Sequence, residues 1–265
     1  MNEIERIREL DDDVFEEFKV YFSKTSASEF VKEFPTTSIL LNMFYTSGTF
    51  IKSSIYDNCE SDNYYGVKIL YRSLIEHYLR FQFLFVNWGL TKSDKFATDY
   101  LEYNAAREVL DLIKAKVTEQ QLYQSNFKIE HWDMFLKDHP DFKNKSRKEV
   151  EIETQKVTFN NIIRFLNEEF KKGNKEMSRF LGELIIDYSN LSSYVHGGMT
   201  SYREMISHDN LVKREKEYNR IAGLSFQLSN SIKLFSLIMY VQTDREKFSQ
   251  HYHNLDKILK QINEK

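Results

Sequence analysis

The residues of this 265-residue chain most able to do chemistry lie in one stretch, Asp187-Tyr188-Ser189-Asn190-Leu191-Ser192-Ser193-Tyr194-Val195-His196-Gly197-Gly198. On a helix, Ser192 and His196 are four apart and share a face, with Tyr188 one turn earlier. The glycine pair stops such a helix and leaves His196 in its last turn. The negative end of a helix favours a cation, so a histidine there can exchange protons with a phosphate or a hydroxyl. It can equally do no more than hydrogen-bond the open carbonyls of the helix end. No strand–turn–helix elbow surrounds either serine, which argues against a serine hydrolase.

A second group lies earlier. Arg72, Glu76 and Arg80 recur at steps of four inside the apolar run 63–88, among Ile69, Leu79 and Phe83. Burying a guanidinium or a carboxylate costs several kcal/mol per ion unless it is paired. Three readings follow: an internal Arg72–Glu76 bridge that fixes helix packing, a charged pair lining a pocket, or a solvated stripe. Metal chemistry has little to build on. Glu204 and His208, or His253 and Asp256, could share helix faces, but two ligands do not make a site. The lone Cys59 excludes a multi-cysteine metal site and an intramolecular disulfide framework. No phosphate loop follows the glycine pair, and no cofactor is expected.

The elements that must carry these groups are helices. Eight glycines and two prolines are ten residues in 265, against about 12% in an average chain. Sheets joined by many tight turns need more. The spacing predicts about eight helices and an all-α bundle. Residues 63–88 form one; a second runs from a cap at Ser93 to about 117. The capping box Ser146-Arg147-Lys148-Glu149 opens a helix burying Ile152, Phe159 and Ile162 and ending at Lys171-Lys172-Gly173. The next carries Met177 to Val195. Asp209 or Ser207 caps a long helix to about Val241, and Thr243-Asp244-Arg245-Glu246 is a second capping box. Pro35 separates an N-terminal helical segment, 1–35, from a domain over 36–265. That domain has an irregular stretch near 118–146, either a surface insertion or part of one shared core.

Basic residues number 37 and acidic ones 40, a net charge of −3, which excludes coating nucleic acid by bulk charge but leaves local patches. Lys145, Arg147 and Lys148, or Lys213, Arg214 and Lys216, could hold phosphates; such runs also serve as plain solvated faces. The apolar stretches 78–90 and 226–241 are interrupted by Arg80, Gln82 and Asn87 and by Gln227, Asn230 and Lys233, so neither reads as a membrane span. With no signal peptide in the charged opening MNEIERIREL, a cytoplasmic location is expected.

The combination of Leu191-Ser192-Ser193-Tyr194-Val195-His196-Gly197 with the earlier Arg72-Ser73-Leu74-Ile75-Glu76 resembles the HEPN-like superfamily, over residues 60–240. The resemblance implies a helical bundle acting as a homodimer. It further implies a metal-independent endoribonuclease of a toxin–antitoxin or phage-defence system, with RNA as substrate and an antitoxin or defence protein as partner. His196 would be the general acid or base, Arg72 would stabilise phosphate charge, and Glu76, Tyr188 and Ser192 would orient them. The family pattern, an arginine four to six residues before the histidine, is absent before His196, where Asn190 and Leu191 stand. The pair is then rebuilt in space from Arg72 and His196, or the fold persists as a non-catalytic binding or sensor module.

Overall fold

The computed structural model describes residues 3–124, 131–173, 175–207 and 211–263. Among them the chain is all-helical, with twelve α-helices, two short 3-10 turns and no strand. In order the helices are α1 (Glu3–Thr25), α2 (Glu29–Glu33), α3 (Pro35–Glu60), α4 (Tyr64–Thr91), α5 (Lys95–Tyr123) and α6 (His131–Asp138). There follow α7 (Arg147–Lys156), α8 (Phe159–Gly173), α9 (Lys175–Val195), α10 (Met199–Ser207), α11 (Leu211–Thr243) and α12 (Arg245–Lys260).

Local chemistry explains why there are more than the eight helices expected. Ser28 caps the five-residue α2 by accepting the Val31 N–H, and Pro35 then starts α3. A proline suits the first helical position because its missing N–H would be unpaired there anyway. The Asp94 carboxylate accepts the next two N–H groups, of Thr36 at 3.0 Å and Thr37 at 2.7 Å. Ser146 and Glu149 form the expected capping box. The helix they open stops at Lys156, however, and a break at Val157-Thr158 separates α7 from α8. Ile152, expected in the core, is exposed. At α12 the cap is Asp244, which accepts the Lys247 N–H at 3.3 Å, so the helix starts one residue later than a box on Thr243 requires. The expected cap at Asp209 and residues 125–130 of the irregular stretch lie outside the described residues, as does the Ser207 side chain.

The chain divides into two compact units. Residues 95–165 form one, and 1–94 together with 166–265 form the other. The interrupting unit is therefore wider than the stretch 118–146. Its core is Ala106, Leu110 and Ile113 of α5 with Phe135, Phe142 and Val150. In the larger unit α4 packs against α3, α9 and α11, and α1 packs against α11 and α12. The segment 1–35 is part of this unit: the apolar stripe Ile4, Ile7, Leu10, Val14 and Phe18 of α1 is buried, and Arg6 donates to the carbonyl of Ile262 at 3.3 Å.

Helix α11 is long and apolar enough to cross a membrane by length and composition. In this fold it is the central core helix, with Ile221, Phe226, Ile232 and Leu237 fully buried. It also carries buried polar groups. Lys233 donates to Asn230 at 2.8 Å, Asn230 donates to Asp11 of α1 at 2.8 Å, and Lys52 of α3 pairs with the same carboxylate. Two buried lysines thus share one carboxylate. Burial and the neighbouring Lys52 charge outweigh Asp11 and bring the Lys233 ammonium down to about 7. Above that pH the folded chain has shed a proton that the unfolded chain keeps until about 10.4, so the unfolded state binds more protons and stability rises with pH. The unfolding free energy of the wild type in urea should increase from pH 7 to pH 9, by at most about 1.4 kcal/mol per pH unit from this group. Lys233→Met, which leaves the Lys52–Asp11 pair in place, should be more stable at pH 7 and show a shallower rise. A flat wild-type profile would mean that Lys233 keeps its proton throughout.

Candidate functional site

Helices α4 and α9 run antiparallel. Tyr78 meets Phe180, Tyr71 donates to Asp187 at 3.0 Å, and the Tyr65 hydroxyl donates to the carbonyl of Tyr194. This pairing brings three of the sequence-predicted site residues together. The Arg72 guanidinium lies over the Tyr188 ring, 4.2 Å from its centroid, and donates to the Tyr188 hydroxyl at 2.7 Å. Glu76 is 3.8 Å from Arg72, accepts from Tyr188 at 3.4 Å and takes the main bond from Arg80 at 2.8 Å. Burial and the Glu76 charge push the Tyr188 phenol above its ordinary range, so it stays a neutral donor. The tight pair is Glu76–Arg80, with Arg72 held by Tyr188. Arg72 and Glu76 are both half-buried, which replaces the fully buried bridge by a closed network at the rim of the helix pair.

Ser192 and His196 do not join it. Eight residues of helix separate Tyr188 from His196, about 12 Å along the axis. Helix α9 ends at Val195, so His196 stands in the turn just beyond, exposed to solvent. The open end of α9 is satisfied by others: Tyr65 caps the Tyr194 carbonyl. Gly197 takes φ +62°, the left-handed conformation that favours glycine, with the Tyr202 hydroxyl 3.3 Å from where a Cβ would lie. A Cβ on Gly198 would sit 2.7 Å from Ser193 Oγ. Ser193, next to the expected Ser192, organises this corner by accepting the Ser201 N–H at 2.8 Å.

A further polar cluster on α9 went unseen in the sequence. Buried Lys68 of α4 donates to Glu217 of α11 at 2.5 Å and is 3.3 Å from Glu204 of α10. Tyr64 donates to Glu204 at 2.5 Å. Arg220 bonds Glu217 through Nε at 2.9 Å and Asp187 through Nη1 at 2.9 Å. Burial alone would raise both glutamates. The Tyr64 hydroxyl and Lys68 at Glu204, and Arg220 and Lys68 at Glu217, reverse that and keep both carboxyls below their ordinary range. Lys68, Asp187, Glu204, Glu217 and Arg220 border a cleft of about 330 Å³ that also includes Asn190, Tyr194 and Thr200. Of the Glu204–His208 pair considered for a metal, His208 lies outside the described residues.

Residues 39–214 match a family described as "Family of unknown function (DUF5677)". The chain belongs to it. The DUF5677 match runs from α3 into the start of α11. It contains Arg72, Glu76, Tyr188, Ser192 and His196, and also Lys68, Asp187 and Glu204 of the cleft, but stops before Glu217 and Arg220. No curated protein and no solved structure matches the chain.

In the closed network, Glu76→Ala removes the acceptor shared by Arg80 and Tyr188. Solvent reaches both arginines, so the loss should be about 1–2 kcal/mol in chemical denaturation, below the 3–5 kcal/mol of a fully buried pair. Tyr188→Phe keeps the ring under Arg72 and should cost less. A loss of 4 kcal/mol for Glu76→Ala would restore the buried bridge.

Proposed function

We propose that this DUF5677 chain is a HEPN-like helical module that binds RNA at the α9–α10 corner and does not cleave it. The observation that carries the reading is the setting of His196. The exposed imidazole stands in a turn between two tyrosines, Tyr65, which bonds the Tyr194 carbonyl, and Tyr202 of α10, and these residues remain 39% and 49% exposed. Bases of single-stranded RNA stack on such rings, at about 1–3 kcal/mol per base. Cations lie on the adjoining elements: Arg203 on α10, and Lys213 and Lys216 at the start of α11, all exposed. The Arg214–Asp62 pair at 2.9 Å ties the start of α11 to the foot of α4, close to Tyr65. Such a patch offers phosphates local charge despite the net −3.

Binding is favoured over cleavage because Arg72, the cation that the resemblance assigns to the phosphate, is elsewhere. Arg72 is engaged by Tyr188 and Glu76, about two helical turns from His196. A cleaving centre needs a cation within reach of the oxygen that develops charge beside its proton donor. The second reading is a metal-independent endoribonuclease of a toxin–antitoxin or phage-defence system. One feature favours it, the open access to His196 at a helix end. In that reading His196 is the general acid or base, a cytoplasmic homodimer is the active form, and the missing cation comes from the second copy.

Fluorescence anisotropy with a labelled single-stranded RNA pool tests both. Wild type should bind saturably, Tyr202→Ala and His196→Ala should each weaken binding about tenfold, and the RNA should remain intact. Cleavage in EDTA that disappears in His196→Ala and Arg72→Ala would install the nuclease reading in place of the binding one. No saturable RNA binding by the wild type would remove both.

A further inference from the structure

We infer that the outer face of α3 is an interface between two copies of this chain, packed antiparallel about a two-fold axis. The inference rests on neither reading of the α9–α10 corner and uses none of its residues.

The absence of charge on that face is the first ground. From Pro35 to Tyr56, about 33 Å of helix, the one charged residue is Lys52, and it is buried against Asp11. No other solvent-facing stretch of helix of that length among the described residues lacks a charge. In place of charges stand Ile39, Met43 and Phe50, which are 55%, 54% and 69% exposed. With exposed Thr46 they recur at steps of four, three and four, one helical seam opposite the buried Phe44, Gly48 and Ile55. An apolar seam of this length is unfavourable in water. A partner with charges along it would leave them desolvated and unpaired. The occupant is therefore uncharged over the same length, and a second α3 meets that condition by identity.

Size and register are the second ground. Beside α3, Asp11 and Phe22 of α1 reach Lys52 and Tyr45. Phe15 lies between them on the same stripe of α1, and Phe15 and Phe22 are 53% and 37% exposed. At roughly 200 Å² per large side chain, covering these five half-exposed residues removes on the order of 500 Å² of apolar surface per copy. The small polar residues between them bring the face towards the roughly 800 Å² per partner of a specific interface. In a two-fold pair every contact occurs twice, once in each direction. An axis between Thr46 and Ser47 sets Phe50 on Met43 of the partner subunit and Ile39 on Ser54 of the partner subunit. The small residues at the crossing let the helix axes approach to about 8 Å. A parallel pairing instead stacks Phe50 on itself and brings two acidic ends, Asp57 and Glu60, together.

Sedimentation velocity of the full chain across the micromolar range should show a monomer–dimer equilibrium. Met43→Lys and Phe50→Glu each put an unpaired charge in the seam and should raise the dissociation constant at least tenfold. Both sites are exposed, so the variants should melt as the wild type does. Mixed in equal amounts they should form a heterodimer, since the introduced lysine and glutamate then face each other while the second contact stays native. Leu90→Glu, at an exposed apolar site on α4, should leave the equilibrium unchanged. A monomeric wild type, a dimer that survives both single variants, or a mixture that stays monomeric would each overturn the inference. A monomeric wild type that sediments with phosphatidylcholine vesicles, and no longer does so as Phe50→Glu, would assign the face to lipid instead.

Discussion

Helix α4 is packed on three sides, by α3, α11 and α9, and the placement of the polar groups at the candidate site follows from that burial. Thirteen of its residues are buried, among them Lys68 and Gln82. An ammonium taken out of water costs several kcal/mol unless an opposite charge reaches it. Lys68 therefore dictates where α10 and α11 can lie, since Glu204 and Glu217 must both come to it. The same logic acts at Arg72, whose partner across the helix pair is an aromatic ring with a hydroxyl, able to satisfy a guanidinium through its face and its oxygen.

The two polar systems on α9 differ in their reach. The Arg72–Tyr188–Glu76–Arg80 network has its charges paired within two adjacent helices and leaves one guanidinium nitrogen, Nε of Arg72, buried without a partner. The cleft system draws on four helices, whose three carboxylates Asp187, Glu204 and Glu217 meet Lys68 and Arg220. A network within two helices fixes their register; one that spans four ties their ends together. The Asp11–Lys52–Lys233 group in the interior is a third case. There burial is deep and one carboxylate serves two lysines, so relief comes from loss of a proton.

Much of the local structure could be read directly. The capping box at Ser146 needs only residues within one turn, and it formed as its spacing requires. The all-helical class followed from the dearth of glycine and proline, and the helical stop at Gly197-Gly198 from their lack of side chains. Arg72, Glu76 and Tyr188 were expected in one group with Ser192 and His196, and neither the contact of Arg72 with Tyr188 nor the dominance of Arg80 over Arg72 at Glu76 was legible, because two i,i+4 neighbours look alike until rotamers are fixed. The break at Val157-Thr158 and the Asp94 cap on α3 were missed. The first lies within a continuous helical period, and the second acts across 57 and 58 residues of chain.

What the sequence alone determined is whatever depends on neighbours three or four residues apart: helix type, several caps, the apolar faces of α1, α4 and α9, and the alignment of Tyr188, Ser192 and His196 along α9. Tertiary structure decided the partners. The antiparallel register of α4 and α9 carried Arg72 to Tyr188 and kept it from His196, and the return of α10 and α11 joined Lys68, Asp187, Glu204, Glu217 and Arg220 into one cleft. The physical reason is range. Capping and helical periodicity are short-range preferences written in contiguous residues, whereas the pairing of a buried charge is settled only when packing has chosen which helices share its desolvated space.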